Sequence, residues 1–249
     1  MNSYKKLCTE FYDIDKPHAP TDALEFYLGY AQKVKGPILE PMCGSGRFLL
    51  PLLEHGFPID GVDASANMLQ ACREAGQRRG LAPVLYEQFM DRLELPKRYH
   101  FVMIPGGSFC LLTEAAQAEE SLRRLHALMI PGATLILEIV RLMAEPPQSG
   151  SWGGRWVERP DGAKIVIRGL SQYNAAERVS HSLQRYELIK DGRLLETEWE
   201  ELNLRYYEAG EVCSLLQAAV FASIQYYQAY GRGVPDDGDE SLVFEGVRS

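Results

Sequence analysis

The first part of the chain alternates short apolar runs with segments whose apolar residues recur at helical spacing. Five strands are predicted by the runs at residues 38–39, 59–62, 83–87, 99–104 and 133–141. Helical spacing is clearest at residues 65–79 and 114–129. The fifth run is continuously apolar up to Leu137, as a strand covered on both faces should be. Strands that alternate with helices in this order predict an α/β fold with a mostly parallel sheet.

The pattern changes after the fifth predicted strand. Residues 145–150 are rich in proline and polar residues and are expected to form a linker. Residues 163–204 then contain three runs of roughly alternating character. Asp191-Gly192 separates the last two runs, which is a strong signal for a β-hairpin. We therefore expect a small antiparallel sheet inserted after strand five.

Pairing outward from the Asp191-Gly192 turn predicts the register of this hairpin. The pairing places Arg185 opposite Glu198 and Glu187 opposite Glu196 on a charged face. The other face is then the apolar one, with Tyr186, Leu188, Leu195 and Thr197. We expect the apolar face to cover a pocket or to pair with a second subunit, which makes a homodimer through the inserted sheet an open alternative.

Composition and charge narrow the class of protein. The 249 residues are 46% hydrophobic and 24% charged, with no apolar run near the roughly 18 residues of a membrane helix. Together with an amino terminus that lacks the apolar core of a signal peptide, this predicts a cytoplasmic protein with no membrane partner. The net charge of −8 disfavours nucleic acid as a partner. Five scattered cysteines without a C-x-x-C pair indicate reduced, buried thiols and no metal site.

The stretch at residues 37–68 carries the candidate chemistry. Its first apolar run ends at Glu40, and a loop with Gly44 and Gly46 follows, where backbone angles closed to other residues let a ligand approach the main chain. A helix is expected at residues 47–54, slightly kinked by its proline, and the second run ends at Asp63. Such strand-loop-helix-strand-acid units bind nucleoside cofactors at the carboxyl ends of parallel strands.

The details of the loop decide among nucleosides. A dinucleotide fingerprint needs a third glycine where this chain has Leu49, which disfavours NAD. A phosphate-binding loop would have Lys-Ser or Lys-Thr after Gly46, where this chain has Arg47-Phe48. The glycine loop with its two acids instead suits a ligand without phosphates. Asp63 can accept hydrogen bonds from a ribose diol, and Glu40 can lie near a cationic group. S-adenosylmethionine fits that description.

Residues 40–47, Glu-Pro-Met-Cys-Gly-Ser-Gly-Arg, followed by Val62-Asp63-Ala64-Ser65 and Met68, resemble the first two motifs of class I S-adenosylmethionine-dependent methyltransferases. Later landmarks occur in order at residues 95–102, 107–109, 131–132 and 205–207. The nearest likeness is to the small-molecule branch, which includes amino-sugar N-methyltransferases and glycine N-methyltransferase. The resemblance implies methyl transfer from S-adenosylmethionine to nitrogen or oxygen of a small-molecule acceptor.

The same resemblance implies the fold and its division. Two closing strands at residues 221–230 and 242–247 would complete a Rossmann-like seven-stranded sheet. We expect one domain from residues 1–145 and 206–249, and an inserted lid or dimerisation subdomain from residues 146–205. By the resemblance, the aromatic N-terminal segment closes over the cofactor.

The implied cofactor-binding residues cluster at the predicted strand ends. They are Glu40, Met42, Cys43, Gly44, Gly46, Arg47, Asp63, Ala64, Met68, Phe89, Met90, Ile104 and Pro105. Phe89 stands where the family usually has an acid for the adenine amino group, so we expect packing by Phe89 and Met90, with Asp91 as an alternative acceptor. His100 stands where the family has aspartate, and we expect it to be structural.

Because the methyl donor is already activated, the protein needs mainly to orient an acceptor and exclude water. No catalytic base is therefore assigned, although Tyr12, His181 and Tyr206 are candidates near the acceptor. Arg155, Arg168 and Arg205 are candidates for holding an acidic group of a substrate. Two other functions remain open: a cofactor-binding module without turnover, suggested by Phe89 and His100, and an NAD-binding oxidoreductase.

Overall fold

The structure is a computed structural model that describes residues 4–144 and 153–249. Six helices occur in these ranges: α1 (Lys6–Asp15), α2 (Thr21–Ala31), α3 (Leu49–Glu54), α4 (Ala66–Arg78), α5 (Ala115–Leu128) and α6 (Ala209–Ala218). The strands of the same ranges are β1 (Ile38–Pro41), β2 (Ile59–Asp63), β3 (Val84–Glu87), β4 (Tyr99–Ile104), β5 (Met129–Val140), β6 (Gly153–Glu158), β7 (Lys164–Asn174), β8 (Val179–Lys190), β9 (Arg193–Arg205), β10 (Phe221–Gln228) and β11 (Ser241–Arg248).

Seven of the described strands form one sheet in the order β10-β11-β5-β4-β1-β2-β3. Strands β1 to β5 pair in parallel, whereas β11 runs antiparallel to both β5 and β10. The other four described strands form a separate antiparallel sheet in the order β6-β7-β8-β9. The predicted Rossmann-like α/β fold with an antiparallel insert after strand five is thus confirmed.

Alternation along the central strands divides the core into two layers. Phe101 and Met103 of β4 belong to a buried cluster with residues of α2, α3 and α4. Val102 and Ile104 belong to a second buried cluster with residues of α5 and α6. Successive side chains of a strand point to opposite faces, so helices cover the parallel sheet on both sides.

Helix α3 begins two residues later than predicted, at Leu49. Pro51 is therefore in its first turn, where its missing N–H costs no helical hydrogen bond. Leu49 is fully buried and packs beside Gly61 of β2. A β-carbon at Gly61 would lie 2.5 Å from Leu49 Cδ1, so a glycine in the strand allows the close packing that dinucleotide-binding proteins obtain from a helix glycine.

The predicted register of the β8–β9 hairpin is correct only next to its turn. Lys190 pairs with Arg193 and Ile189 with Leu194, but a register shift follows, and Leu188 pairs with Glu196. Leu195 is thus an extra residue in β9, as in a β-bulge. The predicted pairs of Arg185 with Glu198 and of Glu187 with Glu196 are wrong, because a slip of one residue moves side chains to the opposite face.

The bulge places Glu196 and Glu198 on the same face as Tyr186 and Leu188, while Leu195 and Trp199 are exposed. The face with Tyr186 and Leu188 is covered by helix α1 of the same chain. The buried cluster between them is formed by Leu7, Cys8, Phe11, Ala163, Ile165, Tyr186 and Leu188. The linker predicted at residues 145–150 lies outside the described residues, and the domain boundaries stay a prediction.

We predict that Gly61→Ala destabilises the protein because the new methyl group would also lie 2.7 Å from Cys43 Sγ. Overpacking of this kind costs about 1–3 kcal/mol of unfolding free energy. In a chain of this length, each kcal/mol lowers the melting temperature by about 2–4 °C in thermal denaturation. Gly29→Ala in helix α2 is the matched control, since it meets nothing within 4 Å and should be neutral or stabilising. Equal melting temperatures for Gly61→Ala and wild type would contradict this packing.

Candidate active site

A cavity of about 450 Å³ opens where β1, β2 and β4 end. Glu40, Gly44 and Asp63 line it from the first two strand ends, and Pro105 lines it from the third. Its other walls come from the N-terminal segment, through Tyr4 and Tyr12, from the start of α5, and from β8 and β9 of the inserted sheet. Because the carboxyl ends of parallel strands meet here, this is the ligand site expected for an open α/β sheet.

Asp63 holds the glycine loop against the end of β2. Its Oδ2 accepts a hydrogen bond from Gly44 N at 2.8 Å, and its Oδ1 accepts one from Ser65 N at 2.8 Å. The loop takes positive φ angles at Met42 (58°), Gly44 (55°) and Gly46 (85°). Each carboxylate oxygen can accept more than one bond, so Asp63 retains acceptor capacity toward the cavity.

Glu40 is an acid inside the core, with 2% of its surface exposed. It accepts from the backbone N–H of Leu49, and its Oε2 has no hydrogen-bond partner among the described residues. Burial raises the pKa of Glu40 well above its ordinary value, the nearby Arg47 opposes this shift, and Asp63 adds to it. A buried carboxyl oxygen that lines a cavity without a partner fits a cationic ligand group.

Arg47 extends from the glycine loop into the same cavity. Its guanidinium lies 5.7 Å from the ring centre of Tyr12 and 5.3 Å from that of Phe48. It also approaches the loop after β4, since a β-carbon on Gly106 would lie 3.0 Å from Arg47 Nη2. An arginine and a glutamate facing one cavity can bind both ends of an amino-acid group, the carboxylate and the ammonium.

Hydrogen bonds to the inserted sheet hold the N-terminal segment over the cavity. Tyr4 N donates to Glu200 Oε2 at 2.8 Å, and Leu7 N donates to Glu198 Oε2 at 2.9 Å. Tyr4 O accepts from Ser65 Oγ at 2.7 Å, next to Asp63. Acids of β9 therefore satisfy free N–H groups at the start of α1, where the helix dipole also favours negative charge.

A second buried acid, Glu138 of β5, holds the loop that follows β4. Its Oε2 accepts from Gly106 N at 2.8 Å and from the Tyr230 hydroxyl at 2.8 Å. Burial raises the pKa of Glu138, and these hydrogen bonds oppose the shift. Sequence reasoning missed this residue, although a charged side chain within an apolar strand run was a usable signal.

The structure brings most of the predicted cofactor residues to the cavity. The lining includes Glu40, Met42, Cys43, Gly44, Arg47, Asp63, Ala64, Met68, Phe89, Met90 and Pro105. Gly46 and Ile104 are not part of the lining. Gly46 instead makes room for α4, since a β-carbon there would lie 2.6 Å from Cys72 Sγ, and Ile104 is fully buried in the core. The binding roles themselves stay predictions.

Of the candidates for catalysis, Tyr12 and His181 line the cavity and Tyr206 does not. Tyr206 packs against Tyr173, with ring centres 6.1 Å apart. His100 packs against Gly36 at the start of β4, away from the cavity. Sequence reasoning also missed several lining residues, namely Tyr4, Gln88, Ser108, Glu114, Gln117, Glu201 and Asn203. They come from segments far apart in sequence, and no local pattern marks them.

Two of the three candidate arginines, Arg155 and Arg205, have structural partners. Arg155 forms an ion pair with Asp15 of α1. Arg205 donates to Thr113 O at 3.0 Å and forms an ion pair with Glu211. Arg168 lies opposite Arg185 in the inserted sheet. None of the three lines the described cavity, so its wall carries one arginine, Arg47, and several acids.

Comparisons with known proteins agree with this geometry. Residues 38–132 match the family model described as a methyltransferase domain. A predicted methyltransferase of Geobacillus sp. (strain WCH70) is 25% identical over 134 residues, which is 52% of this chain and 54% of that protein. The chain thus spans about half the length of this curated relative.

Solved structures extend the likeness to the whole fold. A crystal structure of an S-adenosylmethionine-dependent methyltransferase from Clostridium acetobutylicum ATCC 824 has a TM-score of 0.77 at 14% identity and covers 97% of each chain. S-adenosylmethionine-bound CalS10, an amino pentose methyltransferase from Micromonospora echinaspora, has a TM-score of 0.68 at 19% identity over 100% of this chain and 99% of its own. The resemblance to class I S-adenosylmethionine-dependent methyltransferases is confirmed, and S-adenosylmethionine is the cofactor of that class.

We predict that Glu40→Gln raises the stability of the ligand-free protein while weakening its binding of S-adenosylmethionine. The pKa of Glu40 is higher in the folded protein than in the unfolded chain, where it is about 4.3. The carboxyl group therefore contributes its full stabilisation at pH values below the unfolded pKa. It loses that contribution as the pH rises through the folded pKa. The variant's advantage in unfolding free energy should therefore grow with pH, toward about 1–3 kcal/mol.

Thermal denaturation from pH 4 to pH 9, with and without S-adenosylmethionine, measures both effects. Glu177→Gln removes an exposed carboxylate and is the matched control. A Glu40→Gln protein that is less stable than wild type at every pH, or that keeps the full ligand-induced stabilisation, would contradict the assignment.

Proposed function

We propose that this chain transfers a methyl group from S-adenosylmethionine to a nitrogen atom of a small-molecule acceptor. The observation that carries the proposal is the pair of acids at adjacent strand ends, Glu40 and Asp63. Both line one cavity, and Glu40 has a buried oxygen without a partner among the described residues. Such a site favours a ligand with hydroxyl and ammonium groups over one with phosphates.

In this proposal each wall of the cavity binds one part of the cofactor. Asp63 accepts from the ribose hydroxyls, Glu40 pairs with the ammonium group and Arg47 with the carboxylate. Phe89 and Met90 pack against the adenine. When bound, the cofactor supplies an activated methyl group, so the protein needs to orient an acceptor and exclude water. Orientation of the reactants can lower the reaction barrier by on the order of 7–11 kcal/mol.

The acceptor would occupy the part of the cavity that faces α5 and the inserted sheet. Glu114 and Gln117 line it from α5 and its start, and His181, Glu201 and Asn203 line it from β8 and β9. Acids outnumber basic side chains there, which favours an amine that arrives as a cation. Amide and imidazole groups beside the acids suit a body that carries hydroxyl groups.

Nitrogen is favoured over oxygen as the methylated atom because a hydroxyl acceptor needs a strong general base. Burial raises the pKa of Tyr12, so its phenol stays protonated at neutral pH and is a poor base. An amine needs only to lose one proton before it attacks, and the solvent or His181 can take that proton. The sugar N-methyltransferase KedS8 shares this fold, with a TM-score of 0.71, which is consistent with an aminated, hydroxylated acceptor.

The described residues contain no helix that is both long and apolar enough to cross a membrane. The cytoplasmic location and the homodimer through the inserted sheet stay predictions.

The inserted sheet has a face with exposed Trp156, Leu183 and Trp199, whereas the opposite face is covered by α1. In the proposed function, the inserted sheet forms one wall of the acceptor site through β8 and β9.

We expect the wild type to bind S-adenosylmethionine in calorimetry and to transfer labelled methyl to at least one member of a panel of amino sugars and other hydroxylated amines. Asp63→Asn should weaken cofactor binding about tenfold or more, because a hydrogen bond to a charged acceptor contributes about 1.5–3 kcal/mol. His181→Gln should raise KM for the acceptor and leave cofactor affinity unchanged. Tyr206→Phe, outside the cavity, is the control for both measurements.

Binding without transfer to any acceptor would favour the cofactor-binding module, which is the second candidate function. Tighter binding of NADH than of S-adenosylmethionine, measured by cofactor fluorescence, would instead favour an oxidoreductase. Undiminished binding by Asp63→Asn would remove the basis for placing the ribose at the end of β2.

The pH dependence of transfer separates nitrogen from oxygen acceptors. We expect kcat/KM to rise with pH and to level off near the pKa of the acceptor amine, because only the neutral amine attacks. Tyr12→Phe should keep this profile and lower kcat less than about 100-fold, since a general base contributes about 10²–10⁴-fold. Loss of the pH dependence in Tyr12→Phe would identify Tyr12 as the base and contradict the proposal.

A further inference from the structure

A second cavity, of about 140 Å³, lies between α1 and the inserted sheet. Tyr4, Tyr12 and Leu202 line both this second cavity and the first cavity, which is the candidate active site. The other lining residues belong to α1, to Lys16 directly after it, and to the four strands of the inserted sheet. None of the proposed cofactor residues is among the described lining residues of the second cavity. The two cavities therefore adjoin away from the proposed cofactor site.

Strand β9 places the second cavity next to the proposed acceptor site. Glu201 and Asn203 line the first cavity, Glu200 lines the second, and Leu202 lines both. Tyr12, which is a candidate residue near the acceptor, also lines both cavities. An acceptor that lies against β9 in the first cavity can therefore extend past Leu202 into the second.

Aromatic and aliphatic side chains form most of the wall of the second cavity. Phe11 and Tyr186 are buried and pack edge to face, with ring centres 5.8 Å apart. Ile167 and Leu202 add aliphatic surface from β7 and β9. The volume of about 140 Å³ is close to that of an apolar cavity of about 150 Å³ that admits benzene. The second cavity thus has the size and the surface that suit one six-membered ring.

The charged side chains of this wall do not call for a charged ligand. Arg155 forms an ion pair with Asp15. Glu200 accepts a hydrogen bond from Tyr4 N at 2.8 Å. Lys16 is exposed, and its ammonium group lies 5.5 Å from the ring centre of Tyr12. The second cavity therefore favours an uncharged group.

We infer that the second cavity binds an uncharged ring of the methyl acceptor, an inference that rests on the proposed function. The acceptor then has two parts: a hydroxylated amine in the first cavity and a largely apolar ring in the second. An aryl glycoside of an amino sugar is a molecule of this class. Protein interiors are closely packed and an empty cavity loses contacts, so a ring that fills this space gains binding free energy by being buried.

Methyl transfer to the methyl and phenyl glycosides of the same amino sugars tests the inference. For at least one amino sugar, KM should be at least about tenfold lower for the phenyl glycoside, because an apolar cavity buries its ring. Ile167→Trp should bring the two KM values within about threefold of each other, because the indole occupies the space of the phenyl ring. Val166→Trp is the matched control and should keep the wild-type preference, because adjacent side chains of β7 point to opposite faces.

Two results would overturn the inference and leave the proposed function intact. One is a KM ratio below about threefold for every amino sugar that the wild type methylates. The other is a preference for phenyl glycosides that Ile167→Trp retains, since the ring would then bind elsewhere. Should Ile167→Trp fail to fold, Gln184→Phe fills the same cavity from β8 and takes its place. Absence of S-adenosylmethionine binding, or of transfer to any acceptor, would instead refute the proposed function, so the two failures are distinguishable.

Discussion

The hydrogen bonds between the Asp63 carboxylate and the backbone N–H groups of Gly44 and Ser65 are the contacts on which the site depends. They tie the end of β2 to the loop that follows β1, and they fix where α4 begins. The loop in turn carries Arg47 into the cavity and leads into α3, whose Leu49 N–H holds Glu40. One carboxylate thus sets the geometry of the proposed ribose and amino-acid subsites together.

Two buried acids destabilise the core of this fold. Glu40 and Glu138 both lie in the core, where burial raises the pKa of each carboxyl group. Glu138 recovers part of that cost through hydrogen bonds from Gly106 and Tyr230, whereas Glu40 keeps an oxygen without a partner among the described residues. A polar group left unsatisfied in the core is destabilising, and its presence at a cavity wall supports the proposed role of Glu40 in binding the cofactor.

The inserted sheet lines the cavity and also positions the N-terminal segment. Through Glu198 and Glu200 it holds the start of α1, and through α1 it places Tyr4 and Tyr12 over the glycine loop. The proposed acceptor side of the cavity is therefore lined by three distant parts of the chain.

The sequence alone determined the parallel sheet, the glycine loop and the two acids of its strand ends, because these follow from apolar periodicity and from spacing within about 30 residues. It also predicted the inserted hairpin at Asp191-Gly192. Only the tertiary structure decided its register, since the bulge at Leu195 moves Glu198 and Glu200 to the face that holds α1. Likewise, only packing placed Gly46 against Cys72 and Tyr206 outside the cavity. Contacts between distant segments depend on how elements pack, and no local pattern of residues encodes that.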